Sequence, residues 1–168
     1  VSIATDSAMR GQSFTWDMWV EAGASSIHGR IAAQTDSVGG TGPEIIGTGG
    51  TDIGIRISND GTTFNVPTIG TRSTPAPPDH WAVPLEDFHR NSGPEHIVLV
   101  HDASTKTVRF FIGLEGGDLK LSFEGTYTGS YGVGNVPLVI GNNPVTNRVF
   151  PEKCFQFAYY DRVLTHQV

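Results

Sequence analysis

Aromatic and polar side chains meet in one proline-stiffened segment, PPDHWAV, where they could bind a sugar. Sugar recognition requires an aromatic plane for stacking and a few polar groups for the hydroxyls. Trp81 could stack on a pyranose while Asp79 or Arg72 binds hydroxyls, and His80 lies between Asp79 and Trp81. The prolines reduce the entropy that ordering the loop on binding would cost. The sequence therefore predicts a carbohydrate contact in this segment.

Trp81 also has a structural alternative. Large aromatic side chains usually bury most of their area, so Trp81 could pin its own long loop to a sheet and cover Trp19. The usual burial of large aromatic side chains favours this structural role, and the sequence leaves both roles of Trp81 open.

A second aromatic set lies in GTYTGSYGVGN. Strand alternation explains Tyr127 without any function, whereas Tyr131 lies among glycines and is harder to explain in that way. Together, the two segments give the predicted ligand-binding residues: Arg72, Asp79, His80, Trp81, Tyr131 and Asn135.

Composition excludes several partners. Eleven basic residues face seventeen acidic ones, the net charge is −6, and no basic cluster is present. Phosphate neutralisation dominates binding to nucleic acids, so a nucleic-acid partner is not expected, and neither is an anionic membrane surface. No apolar run reaches transmembrane length, so membrane insertion is not expected either. The single cysteine, Cys154, excludes an internal disulfide.

Catalytic and zinc-binding motifs are missing from the sequence. There is no serine-hydrolase elbow, no two-histidine zinc helix and no phosphate-binding glycine loop with its lysine. His96 and His101 belong to opposite faces of one expected strand, so they cannot share a metal ion. His80 and His89 flank one loop without a cysteine or a third histidine. We therefore expect no zinc site.

Short apolar runs separated by turn signals indicate an all-β chain. With 21 glycines, 10 prolines and no long helical pattern, the 168 residues suit one antiparallel β-sandwich. The expected strands cover 1–4, 13–22, 27–34, 52–58, 63–67, 95–102, 107–114, 120–127, 137–141 and 154–160. The glycine-rich 35–52 and the proline-rich 71–93 are expected to be loops, the latter with one helical turn at 85–89.

Three stretches carry a family resemblance: EHIVLVHDASTKTVRFFIGLEGGDLKL, PLVIGNNP followed by FQFAYYDRVLTHQV, and the opening SFTWDMWVEA. They resemble the paired strands, the closing pattern and the early strand of laminin G-like domains. The resemblance implies a concanavalin A-like jelly roll, with residues 1–168 forming a single domain. The family usually has a further strand before VSIATDSAM, so we expect the chain either to lack that strand or to receive it from a neighbouring segment.

The two strand tryptophans lie on opposite faces of SFTWDMWVEA, which raises the question of which one packs. Trp19 occupies the position of a tryptophan that recurs in family members with unlike ligands, so the resemblance implies packing for it. We expect Trp16 to join Phe14 and Met18 between the sheets. Trp19 would be covered by a loop, for which the proline-rich segment is the candidate.

The resemblance also implies calcium at a loop rim, held by hard oxygen ligands. The candidate ligands are Asp52, Asn142, Asn143 and Asn147. The alternative is that the asparagines cap turns.

Glucanases of the superfamily carry two glutamates and an aspartate on one strand, and no expected strand of this sequence does. The sequence resembles the lyase-like members of the superfamily only at His28, Tyr127 and Tyr131. It lacks the arginine-rich partner strand of those members.

These observations predict a non-catalytic binding module, for carbohydrate, within a larger extracellular or surface protein. Its partners would be a glycan or a surface protein, together with neighbouring domains of the parent chain or assembly. The ligand is expected at a rim formed by RSTPAPPDHW, YTGSYG and IGNNPVTN. Two alternatives stay open: an adhesion module that contacts protein in a surface or viral assembly, and a divergent polysaccharide lyase.

Overall fold

The computed structural model describes residues 2–3, 13–21, 29–34, 43–48, 52–57, 80–82, 93–126, 137–142, 149–150 and 153–165. Within these residues, eleven strands form two antiparallel sheets, which confirms the predicted β-sandwich. None of the described segments is a helix of the length and apolar character that crossing a membrane requires.

The first sheet has six strands in the order β1–β10–β3–β4–β5–β6. Their bounds are β1 Ser2–Ile3, β3 Gly29–Ala33, β4 Pro43–Thr48, β5 Asp52–Ile57, β6 His80–Ala82 and β10 Leu138–Ile140. The second sheet has five strands in the order β11–β2–β7–β8–β9. Their bounds are β2 Phe14–Glu21, β7 Glu95–Asp102, β8 Thr107–Leu114, β9 Lys120–Thr126 and β11 Lys153–Tyr160.

Alternation along β2 builds the second sheet's half of the core. Phe14, Trp16 and Met18 are at most 1% exposed and lie on one face of the strand. They pack with buried side chains of the first sheet, including Ile31 and Ile45. The prediction that Trp16 joins its two neighbours between the sheets is confirmed.

The opposite, outer face of the second sheet is covered at one end. The side chain of Thr15 is 0% exposed although it lies on this face. Its hydroxyl donates to the carbonyl of Arg162 at 2.9 Å and accepts from the amide of Leu164 at 3.0 Å. A short C-terminal strap, residues 161–165, is thereby tied across β2. The expectation of two covered faces therefore holds at the Thr15 end of the strand.

A buried ion pair joins β3 and β4. The Nε of Arg30 lies 2.8 Å from Oε2 of Glu44, and the two side chains are 6% and 0% exposed. Next to it, a Cβ on Gly29 would approach the carbonyl oxygen of Val149 to 2.6 Å, so only glycine fits that position without a shift of the backbone. Charge pairing and close backbone packing together fix this end of β3.

The structure departs from the predicted elements in the two expected loops. β4 lies within the glycine-rich 35–52 and β6 within the proline-rich 71–93, so the prediction of uninterrupted loops there was wrong. Neither strand could be predicted from local composition. Pairing with neighbouring strands holds both in the sheet, and neither shows a clear alternation of apolar and polar residues. The predicted strand 63–67 and the helical turn 85–89 lie outside the described residues.

Candidate functional site

Four of the sequence-predicted site residues have described backbone positions. His80 and Trp81 belong to β6 at the edge of the first sheet, Asp52 begins β5, and Asn142 follows β10. The remaining candidates lie outside the described residues: Arg72, Asp79, Tyr131, Asn135, Asn143 and Asn147.

The position of Trp81 follows from the strand register. Trp81 pairs with Ile55, which pairs with Ile45, a core residue that is 0% exposed. The pairing places the backbone of Trp81 in β6, at the edge of the first sheet, whereas Trp19 lies on the outer face of the second sheet. The two predicted roles of Trp81, ligand contact and cover for Trp19, remain predictions.

Two described positions of the predicted rim lie far apart in the first sheet. β6, which carries Trp81, and β10, which leads into Asn142, are separated by β5, β4 and β3. Four strand spacings amount to about 19 Å. One sugar ring cannot reach both positions, so a ligand that contacts both would have to be an oligosaccharide.

The same topology divides the predicted calcium ligands. Asp52 on β5 and Asn142 after β10 are three strand spacings apart, or about 14 Å. Ligands of one Ca²⁺ ion each lie about 2.3–2.6 Å from it, so these two short side chains are not brought to a common ion. In the described part of the chain, no group of three or more His, Cys, Asp or Glu side chains could hold a metal. Calcium binding remains a prediction for the asparagine segment or for Asp52 alone.

The outer face of the second sheet brings together a polar and aromatic cluster that the sequence did not reveal. The Nε2 of His96 on β7 donates to Oδ1 of Asp17 on β2 at 2.7 Å. The imidazole also stacks on Trp19, with ring centroids 4.8 Å apart and ring planes 7° from parallel. The three residues, here called the outer-face cluster, are all partly exposed. Trp19 is therefore covered by a neighbouring strand residue on one side of its ring.

An apolar cavity of about 150 Å³ adjoins this cluster on the same face. We call it the outer-face cavity. Val98, Val100 and Phe111 occupy outer-face positions of β7 and β8, while Leu119 and Leu164 come from the β8–β9 turn and the C-terminal strap. Its polar lining residues are Asp17 and Thr165, so the carboxylate of the outer-face cluster also forms part of the cavity wall.

Two salt bridges also lie on this face. Arg109 bonds Glu124 across β8 and β9, and Lys153 bonds Glu21 across β11 and β2 at 3.1 Å. Such exposed pairs contribute little to stability. Among the described residues that line the outer-face cavity, the carboxylate is that of Asp17, which is bonded to the imidazole of His96.

The Asp17–His96 pair resembles two parts of a hydrolytic triad, which would also need a nucleophile within hydrogen-bond reach. The register positions that flank His96 on this face are Trp19 on β2 and Gly113 on β8. Neither can act as a nucleophile.

A second cavity, of about 410 Å³, opens between the edges of the two sheets. Ile3 and Ile140 line it from the first sheet, and Cys154, Phe155 and Phe157 from β11. Burial raises the pKa of the Cys154 thiol above its usual range, which keeps it protonated and weakly reactive. Among the described residues that line this second cavity, Gln156 supplies a polar amide.

No protein-family model and no curated protein matches the sequence.

Solved structures do share its fold. The CBM40 carbohydrate-binding module of the Ruminococcus gnavus IT-sialidase, bound to α2,3-sialyllactose, matches with a TM-score of 0.61 at 14% identity over 93% of this chain and 79% of that one. The same module bound to α2,6-sialyllactose gives a TM-score of 0.60 at 13% identity over 93% of this chain and 79% of that one. At these identities the similarity establishes the fold.

A third match is a candidate carbohydrate-binding protein from Bacteroides ovatus ATCC 8483. It gives a TM-score of 0.61 at 13% identity and covers 98% of this chain but 42% of that one. The present chain therefore corresponds to less than half of the Bacteroides protein.

Proposed function

We propose that this chain is a non-catalytic carbohydrate-binding module. The observation that carries the proposal is its match, over 93% of its length, to the sandwich of a sialidase CBM40 solved with sialyllactose. Two features of the chain itself support it. An aromatic ring, an imidazole and a carboxylate meet at the surface in the outer-face cluster, and an apolar cavity adjoins them.

At a finer level, we propose a laminin G-like member of the concanavalin A-like lectins, within an extracellular or surface protein. The resemblance of the strand and closing motifs supports this assignment. We also propose that the six residues named from the sequence contact the ligand: Arg72, Asp79, His80, Trp81, Tyr131 and Asn135. The spacing between β6 and β10 suits an extended oligosaccharide along this rim.

A glycan array tests the function directly. The labelled chain should bind a defined set of glycans, and heat-denatured protein should not. Trp81→Ala or Tyr131→Ala should weaken rim-dependent binding about tenfold or more, since stacking on one aromatic ring contributes on the order of 1–3 kcal/mol. Binding to no glycan, together with saturable binding to a surface protein, would favour the adhesion alternative. Product release from polyuronates would favour the lyase alternative.

A further inference from the structure

We propose that the outer-face cavity binds the N-acetyl group of a neutral amino sugar, with Asp17 as the acceptor for the amide N–H. The inference rests on the proposed carbohydrate-binding function and names the sugar class and its site. The site lies on the sheet face and is separate from the predicted loop rim.

The shape and lining of the cavity suit a small apolar substituent. Its floor residues Val98 and Val100 are only 8% and 2% exposed, and the cavity measures about 150 Å³. An ordered water molecule needs about two to four polar partners, and the side chains of the floor, Val98 and Val100, offer it none. A methyl group instead gains free energy when it leaves water for an apolar surface. An acetyl methyl fits this chemistry, whereas a ring hydroxyl does not.

The carboxylate in the wall supplies the second half of the recognition. Oδ1 of Asp17 accepts from His96. Among the described residues, no hydrogen bond reaches Oδ2, and an ionised carboxylate has acceptor capacity on both oxygens. An acetamido group carries a methyl and an N–H donor on adjacent atoms. It can therefore occupy the apolar floor and bond Asp17 at the same time.

Trp19 lies next to the position expected for the sugar ring. It is two residues along β2 from Asp17 on the same face, a spacing of roughly 7 Å. One side of the indole is stacked on His96, and the ring is partly exposed. A pyranose anchored by its acetamido group in the cavity would thus reach the edge of the indole and the imidazole.

Charge favours a neutral sugar. The acceptor is a carboxylate, Glu21 lies further along the same strand face, and the chain carries a net charge of −6. A sugar carboxylate placed here would meet like charge. We therefore expect N-acetylglucosamine or N-acetylgalactosamine to bind more tightly at this site than sialyllactose does.

Titration followed by methyl NMR tests the proposal on the unmodified chain. N-acetylglucosamine and N-acetylgalactosamine should shift the methyl signals of Val98, Val100, Leu119 and Leu164 saturably. The acetyl methyl of the ligand should give nuclear Overhauser effects to these groups. Glucose and galactose, which lack the acetamido group, are the matched probes and should leave the signals unshifted.

Two variants test the acceptor. Asp17→Ala should weaken binding of the N-acetylated sugars about tenfold or more, because a hydrogen bond to a charged group is lost. Glu124→Ala removes an exposed carboxylate of the same sheet face outside the cavity and should leave the affinity unchanged. Val98→Phe fills the cavity and should abolish the methyl contacts.

The outcomes separate this inference from the broader function. Glycan binding with equal affinity for sugars with and without the acetamido group would overturn the inference and leave the proposed function standing. The same holds for shifts confined to residues outside the cavity. Failure to bind any glycan would overturn both.

Discussion

The imidazole of His96 connects Asp17 to Trp19 on the outer face of the second sheet. Its Nε2 lies 2.7 Å from Oδ1 of Asp17, and its ring stacks on the indole of Trp19 at a centroid separation of 4.8 Å. His96 and Trp19 are direct cross-strand partners of β7 and β2. The hydrogen bond sets the orientation of the imidazole, and the imidazole in turn holds one side of the indole.

The stacked pair should be energetically coupled. In a double-mutant cycle with Trp19→Ala and His96→Ala, we expect a coupling of about 0.5–1.5 kcal/mol in the free energy of unfolding, as for other ring pairs. Tryptophan fluorescence should also change in His96→Ala, and the control Glu124→Ala should leave it unaltered. Additive single-variant effects would contradict the coupling.

The two tryptophans of β2 should differ in their importance for stability. Trp16 is 0% exposed in the core, so Trp16→Ala should lower the free energy of unfolding by about 3–5 kcal/mol. Trp19 is partly exposed, and Trp19→Ala should cost roughly half of that or less. Urea denaturation of both variants measures the difference. Equal losses would show that Trp19 is a core residue after all.

The Arg30–Glu44 pair gives a further test of the fold. Both side chains are almost fully buried, so Arg30→Met alone or Glu44→Leu alone would leave one buried charge and cost about 3–5 kcal/mol. The double variant removes both charges and should recover most of that loss. Unfolding free energies from urea denaturation decide the case. A double variant as unstable as the sum of the single variants would contradict this account.

Acid stability should depend in part on Asp102. Its carboxylate accepts hydrogen bonds from the hydroxyl and amide of Ser104 in the β7–β8 turn, and the Ser104 hydroxyl, followed by the amide, holds the pKa of Asp102 below its usual 3.8. A lowered pKa in the folded state means that the stabilisation is present above the unfolded value of 3.8 and is lost as pH falls through the lower, folded value.

Asp102→Asn should therefore be less stable than the wild type at neutral pH. Because Asp102 is partly exposed and Ser104 lies in an exposed turn, the difference should stay below about 1 kcal/mol. It should narrow once the pH falls below 3.8. Thermal melting of both proteins across this pH range provides the measurement. A difference that is independent of pH would exclude the carboxylate charge as its cause.

Local pattern determined how much of the molecule could be predicted. The bounds of β7 and β8 agree with the sequence prediction because each strand is strongly apolar and a turn connects them. β4 and β6 were missed because glycine and proline dominate their surroundings. The outer-face cluster was missed because Asp17 and His96 are 79 positions apart, and only the pairing of β2 with β7 brings them together.

Calcium binding can be tested with the topology as a guide. An ion that binds only the folded state should raise the melting temperature with the logarithm of its free concentration. Asp52 and Asn142 are three strand spacings apart, so they cannot serve one site. If calcium binds through either position, only one of the variants Asp52→Ala and Asn142→Ala should abolish the rise in melting temperature. The other variant then serves as the control. Equal melting temperatures in EDTA and in calcium would contradict calcium binding. If both variants lost the calcium-dependent rise in melting temperature, the separation of Asp52 from Asn142 would be contradicted.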